Sequence, residues 1–303
     1  MTGSPGFGMR APGALESVEA ADAPEPNRAR RDAVTTAADK GRRSRGALWA
    51  WIVFLIGAAY FLIPLLSTFE VSMRAKPLFA AYTNAFADAR FAGSLLYSFV
   101  IGVVTVLVSI ALIVPTAYWV RLRAPRLRPF VEFVTLLPFV IPPVVLVFGL
   151  IRSFSRPPLP LTNTDFGSNV LLVFAYVVLS LPYMYRSVDS GLRAIDIRSL
   201  TEAAQNMGAG WFTIIVRIIL PNLRVALLSG AFLSLAIVIG EYTIASYLAR
   251  PAFGPYLQLL GANRAYEPAA VSLISFGLTW LAMIAIALIG RGSRTRIQVG
   301  GAH

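Results

Sequence analysis

Carboxylates are nearly the only side chains in this sequence that could take part in chemistry. The 303 residues include no cysteine and one histidine, His303, so thiolate and histidine-based catalysis are excluded. The sequence also contains no cluster with zinc-ligand spacing and no phosphate-binding loop of the GxxxxGKS or GxxxxGKT kind. An enzyme made from this chain would therefore have to rely on carboxylates alone.

Two of the acids, Glu132 and Glu241, lie inside apolar runs, where an ionisable group is costly and therefore a candidate for function. Glu132 follows Arg128 at a spacing that favours an ion pair along one helix face. Catalysis inside the membrane would require two facing acids, and the apolar runs place these two at opposite sides of the bilayer. An intramembrane enzyme is thus disfavoured.

Glu241 would share one helix face with Gly230, Ser234 and Ile237 if the fifth apolar run formed a continuous helix. Such a face could line a passage, with Tyr242 beside it, and present a negative charge to a cationic solute. Alternatively, Glu241 extends to the outer membrane interface or forms an ion pair there. Its candidate partners are Arg250 and Arg264.

Aromatic residues near the ends of the apolar runs have two interpretations. They could stack on alkyl-ammonium groups by cation–π contact, or they could anchor helices at the membrane interface. These residues are Tyr183, Tyr185, Tyr242, Tyr247 and Trp280.

Long apolar runs carry all of these residues. Hydrophobic residues make up 56% of the sequence and charged residues only 14%, against about 25% charged in an ordinary soluble domain. Runs close to the roughly 20 residues that cross a bilayer occur at 47–68, 93–119, 129–151, 169–185, 219–248 and 268–290. We predict an all-α polytopic membrane protein with six transmembrane helices, because lipid offers the backbone no hydrogen-bond partner.

The distribution of basic residues explains the net charge of +12. Most Lys and Arg residues fall in the N-terminal segment, in alternate loops and at the C-terminus, so the positive-inside rule places both termini in the cytoplasm. The same rule places the loop between the fourth and fifth runs there. The excess charge thus indicates topology and contact with anionic lipid, and no nucleic acid is expected as a partner.

The sequence divides into a tail, a membrane domain and a short second tail. Residues 1–45 lack helical periodicity and are rich in Ala, Pro, Gly and Arg, which predicts a disordered, basic cytoplasmic tail. Residues 46–290 form the membrane domain, and residues 291–303 form a cytoplasmic C-terminal tail. The first apolar run has a basic flank but no small-residue cleavage site, so it is expected to remain as a span.

Prolines interrupt several spans, most densely in LPFVIPPVVLVFGL of the third run. A proline removes a backbone donor and bends a helix, which membranes tolerate where protein or a cavity covers the break. We predict a kinked third span. Its kink could serve packing alone, or the helix could line a passage.

A polar stretch, TEAAQNMGAGWFTIIVRIILPN, separates the fourth and fifth runs. Its mixed residues suit an amphipathic helix, with Asp196 or Ser199 as the N-cap. Gly208 would then allow a turn, and Pro221 suits the first turn of the next span. The pattern predicts a helix–turn–helix over about 192–212 at the cytoplasmic face, and an ordinary surface loop is the alternative.

This stretch resembles the signature loop of permease subunits from binding-protein-dependent ABC importers. The family pattern is EAA, three residues, Gly, nine residues, Ile, one residue, Leu-Pro. The sequence matches every position and spacing, with Glu202, Ala203, Ala204, Gly208, Ile218, Leu220 and Pro221. The upstream LPYMYRSVDSGLRAIDIRSL and the proline-rich third run are also similar to this family.

The resemblance implies the MetI-like fold of type I importers and a non-catalytic transport subunit. The hairpin would be the coupling helix that docks on a cytoplasmic ATPase subunit. Glu202 would meet a basic group there, Ala203 and Ala204 would permit close approach, and Gly208 would set the turn. The implied partners are two ATPase subunits that bind ATP and Mg, a second permease and an extracytoplasmic solute-binding protein, all at a bacterial inner membrane; the chain itself binds no cofactor.

The solute is suggested only by a second, weaker likeness. The segment GEYTIASYL resembles the corresponding part of spermidine and putrescine permeases, although permeases for ferric iron, phosphonate or sugar remain alternatives. A polyamine or another small cation is expected first, because a buried acid suits an amine. An autonomous secondary carrier is the alternative class, but such carriers usually show internal repeats, and none is evident.

Overall fold

A computed structural model describes the backbone of residues 25–291. Within this range the regular structure is helical, as predicted. The main helices are α1 Glu25–Met73, α2 Ala80–Ala87, α3 Ala89–Leu122, α4 Arg128–Val140, α5 Pro143–Phe154, α6 Asp165–Arg193, α7 Ile197–Asn206, α8 Arg224–Gly240, α9 Thr243–Tyr247, α10 Phe253–Asn263 and α11 Glu267–Arg291.

The chain divides into two units, with the boundary at Leu66 and Ser67. In the first unit, helix α1 begins at Glu25, so the predicted disorder of residues 1–45 does not hold for residues 25–45. That segment is rich in Ala and Arg, which are good helix formers, and Pro26 lies in its first turn, where proline is tolerated. Residues 1–24, and the tail after Arg291, lie outside the described residues.

In the second unit, α3, α6 and α8 pack against one another and form the centre of the helical bundle. Small residues allow this close packing. A Cβ atom added at Gly230 of α8 would lie 2.8 Å from the sulfur of Met184 and 3.3 Å from its Cα on α6. A side chain at this position would require the Met184 side chain or the α6 backbone to shift.

Three helical segments are long and apolar enough to cross a membrane, namely Trp49–Met73, α3 and α6. Two further candidate spans are bent helix pairs. One joins Pro125–Val140 to Pro143–Phe154 at 99°, and the other joins Trp211–Asn222 to α8 at 79°. These five account for the first five predicted runs, while α11 covers the sixth without being among them, so the count of six stays a prediction.

The break in the third predicted span falls at Ile141 and Pro142, which have extended ψ angles of 115° and 140°. Pro142 and Pro143 supply no N–H groups, and a proline also disfavours helical geometry at the residue before it. The predicted kink is confirmed. At 99° it turns the chain far more sharply than a single proline would, so α4 and α5 are separate helices.

Candidate functional site

Helix α7 forms the first part of the polar hairpin, and it begins where the sequence predicts. Asp196 is its N-cap, and the carboxylate accepts hydrogen bonds from the hydroxyl of Ser199 at 2.7 Å and from its backbone N–H at 3.2 Å. These bonds favour the charged carboxylate and lower the pKa of Asp196. The cap therefore fixes where the hairpin turns away from α6.

The two sides of α7 have different environments. Glu202 and Ala203 are exposed, whereas Ala204 is buried in the apolar cluster that α7 shares with α3 and α6. Glu202 forms an i,i+4 ion pair with Arg198 at 3.0 Å, and both side chains are more than half exposed. Of the two alanines expected to permit close approach, Ala203 is therefore open to a partner, whereas Ala204 packs against the chain's own core.

Helix α7 ends at Asn206, and the turn follows at Gly208, whose φ of +81° is in the left-handed region. No atom lies within 4 Å of the position that a Cβ would occupy. The need for glycine therefore comes from the backbone angle and not from crowding. This confirms the predicted turn.

The chain after the turn returns towards the bundle through a π-helix over Ile214–Ile219. Ile218 and Leu220 are partly buried and pack against the apolar cluster that α7 shares with α3 and α6. Pro221 is exposed. Pro221 does lie in the first turn of a helical segment, but that segment ends at Asn222. Helix α8 begins only after the 79° bend, at Arg224, so Pro221 does not lie in its first turn as predicted.

A charge cluster around the buried Asp189, next to the hairpin, was not predicted from the sequence. Asp189 of α6 accepts hydrogen bonds from Arg121 at 3.2 Å, from Arg128 at 3.3 Å and from Arg193 at 2.6 Å. Glu132 pairs with Arg128 at 2.9 Å, as its spacing predicts. The ends of α3, α4 and α6 are thereby joined through one carboxylate. The i,i+4 spacing of Asp189 and Arg193 was the available signal.

Glu241 lies at the break after α8, not on its face. Helix α8 ends at Gly240, so Glu241 cannot continue the face of Gly230, Ser234 and Ile237, and that prediction is wrong. Its carboxylate is buried and accepts hydrogen bonds from the backbone N–H groups of Ile244 and Ala245.

The donors around Glu241 replace the partners that the sequence suggested. They are the N–H of Ile244 at 2.8 Å, the N–H of Ala245 at 3.1 Å and the hydroxyl of Tyr176 at 3.0 Å. Arg250 instead pairs with Asp165 at 2.7 Å, and Arg264 pairs with Glu267 at 3.9 Å. Glu241 thus caps the short helix α9.

The other two residues of the predicted solute pathway have contrasting positions. Ser234 is fully buried, and its hydroxyl has no hydrogen-bond partner among the described residues. Tyr242, beside the α8–α9 break, is 45% exposed. Within the described part of the chain, no group of three acidic or histidine residues could hold a metal ion.

Comparison with known proteins decides the family. A family model described as binding-protein-dependent transport system inner membrane component matches residues 109–297, more than half of the chain. The chain belongs to this family. The match includes the hairpin, the Asp189 cluster and the α8–α9 break, so all three are features of an ABC importer permease subunit.

Curated relatives of this permease differ in the solute that their names state. A probable molybdenum ABC transporter permease of Haloferax volcanii is 30% identical over 205 residues, covering 64% of this chain and 68% of the relative. The spermidine/putrescine transport permease PotC of Escherichia coli K12 is 30% identical over 128 residues, covering 42% of this chain and 46% of PotC. The chain thus matches less than half of PotC.

Solved structures confirm the MetI-like permease fold. A bacterial alginate ABC transporter, solved with a periplasmic protein bound to an alginate pentasaccharide, has a TM-score of 0.61 at 15% identity. The match covers 87% of this chain and 99% of that one. The methionine transporter MetNI, in inward-facing conformations, has a TM-score of 0.53 at 19% identity, with 66% and 94% covered. At these identities the likeness concerns the fold alone.

Proposed function

We propose that this permease passes the motion of a partner ATPase to its membrane helices through the hairpin of residues 192–212. The observation that carries the proposal is the exposed side of this hairpin. Glu202 and Ala203 are exposed there, together with the large apolar side chains of Met207 and Phe212, which are 80% and 71% exposed. An acid beside exposed apolar side chains, on a helix whose other side is firmly packed, is a suitable surface for a protein partner.

The proposed assembly has two ATPase subunits, which bind ATP and Mg, and a second homologous permease. An extracytoplasmic solute-binding protein delivers the solute. The positive-inside pattern supports cytoplasmic termini and a cytoplasmic hairpin in a bacterial inner membrane. The structure of the alginate transporter includes a bound periplasmic protein, which supports the proposed solute-binding partner.

Charge reversal at Glu202 tests the docking. Because its ion pair with Arg198 is exposed, the pair adds little to folding. Glu202→Lys should therefore insert normally and lower the ATPase activity that copurifies with tagged full-length chain by about thirtyfold, roughly the cost of removing one partner of an interfacial charge pair. Arg198→Gln is the matched control, since it breaks the same ion pair and should retain most of the activity.

Two outcomes would contradict the proposal. One is equal loss of ATPase activity in both variants, which would assign the effect to the intrahelical ion pair. The other is solute uptake by the purified chain in vesicles without any ATPase, which would make it a secondary carrier.

For the solute, we propose a polyamine or a similar small cation, with support from the likeness to PotC. The carboxylate of Glu241 adds no support, because protein donors already occupy it. Tyr242 is exposed enough to stack on an alkyl-ammonium group. Competition of spermidine and molybdate for uptake by the intact importer tests this choice, and inhibition by molybdate alone would reverse it.

A further inference from the structure

A cavity of about 520 Å³ lies between α4 and α6 at the end of the bundle that carries the hairpin. Its wall includes three groups that make no hydrogen bond with any described residue: the guanidinium of Arg186 and the hydroxyls of Tyr185 and Ser190. Arg186 and Ser190 are exposed. The cavity therefore offers several unused donors to one acceptor-rich group.

The charges around this cavity favour an anion. Its two acids, Glu132 and Asp189, are already paired with arginines. Arg186 forms no ion pair with the described residues, so it supplies positive charge in addition to these pairs. A guanidinium with neighbouring hydroxyls is a typical set of partners for phosphate oxygens.

An apolar surface continues from the cavity along α4. Leu136 lies in the cavity wall, and one turn further on Phe139 and Val140 are 60% and 77% exposed. Phe139 also contacts the ring of Tyr183 on α6, with 5.5 Å between ring centres. A polar, cationic pocket thus joins an apolar strip that leads away from the charged end of α4.

We propose that this cavity binds the phosphate headgroup of a membrane phospholipid, with Arg186 as the principal contact and an acyl chain along Leu136 and Phe139. The join between pocket and strip favours a lipid over free phosphate, which would use the pocket alone. Basic pockets between membrane helices are known to hold anionic headgroups. This inference does not depend on the transport proposal, because lipid binding is measured without ATP or solute.

The test uses full-length chain in nanodiscs that contain equal parts of phosphatidylcholine and phosphatidylglycerol, followed by extraction into mild detergent and native mass spectrometry. Wild-type protein should retain phosphatidylglycerol after delipidation, and Arg186→Gln should reduce the retained fraction about tenfold. Ser190→Leu, which fills the mouth of the cavity but keeps Arg186, should also reduce it. Arg126→Gln is the matched control, because Arg126 is exposed, forms no ion pair with described residues and lies outside the cavity.

Three results would overturn the assignment. Equal retention in wild type and Arg186→Gln would show that the cavity does not select the lipid. If inorganic phosphate protects Arg186 from an arginine-modifying reagent and no lipid is retained, the pocket binds a free anion. Cross-linking of Ser190→Cys to a second permease subunit in intact membranes would show that protein fills the cavity.

Discussion

The hydroxyl of Tyr118 on α3 lies 3.1 Å from the hydroxyl of Thr201 on α7, and both residues are buried. Thr201 donates its proton to the carbonyl of Ile197 at 2.6 Å, so Tyr118 is the donor in the bond between the helices. The hairpin is therefore attached to a membrane-spanning helix by a directional bond as well as by apolar packing.

Tyr118→Phe removes this bond without leaving the hydroxyl of Thr201 unpaired. We expect a loss of about 1 kcal/mol in unfolding free energy, the usual net value of one hydrogen bond. Because α7 is then held less firmly, uptake per ATP hydrolysed should fall by up to about fivefold, while ATPase copurification stays normal. Thr116→Val is the control, since its hydroxyl bonds only within α3, to the carbonyl of Leu112. If uptake per ATP hydrolysed is unchanged in Tyr118→Phe, this bond does not transmit the motion of the hairpin to α3.

Substitutions at Gly208 should follow backbone preference and not side-chain size. Asn is tolerated in the left-handed region better than other residues, so Gly208→Asn should cost less stability than Gly208→Val, for which about 1–2 kcal/mol is expected. Thermal unfolding in detergent measures the difference. Gly210→Ala should be nearly neutral, because Gly210 has a φ of −74° and equally open surroundings. Equal effects at positions 208 and 210 would contradict this explanation.

Glu241→Gln tests whether Glu241 positions the backbone or contacts the solute. A carboxamide cannot accept all the bonds that the carboxylate accepts, so stability should fall by about 1–3 kcal/mol. Tyr176→Phe removes one donor to Glu241, and its effect should have the same direction but be smaller. If the role is positioning, both variants lower the maximal rate for cationic and anionic solutes alike. A selective rise in KM for cations in Glu241→Gln alone would instead indicate a solute contact.

The Asp196 cap makes the start of α7 sensitive to acid. Hydrogen bonds from Ser199 lower the pKa of Asp196 in the folded chain. The cap therefore stabilises α7 at every pH above the unfolded pKa, about 3.9, and this stabilisation is lost as the pH falls through the lower folded value. A spin label at Gln205 should remain ordered from pH 7 to pH 5 and become mobile at lower pH. In Asp196→Asn the same label should show no such transition, and a transition retained there would assign the effect to another group.

The local features could be predicted because each depends on neighbours in the sequence. Asp196 as N-cap, the turn at Gly208 and the Arg128–Glu132 ion pair all involve residues within one helical turn. The proline pattern likewise predicted a break in the third span. Its 99° angle depends on how α4 and α5 pack, which spacing does not encode.

Features that depend on distant residues could not be predicted. Periodicity assigned Glu241 to a continuous helix, but the carboxylate is better satisfied by ending that helix and capping α9. Asp189 was missed because two of its three arginines are far away in the sequence, on α3 and at the start of α4. The EAA motif does not indicate which of its two alanines faces inwards, and only the packing of α7 against α3 and α6 shows that Ala204 does.

The three arginines around Asp189 give this cluster an uneven tolerance of mutation. If any one arginine is replaced, the carboxylate keeps two cationic neighbours, and at least one of them still joins Asp189 on α6 to α3 or to α4. If Asp189 is replaced, Arg121 loses its carboxylate partner, and only Glu132 remains to offset the charges of Arg128 and Arg193. A sequence that changes Asp189 would therefore need a compensating change elsewhere in the cluster, whereas single arginine changes could accumulate one at a time.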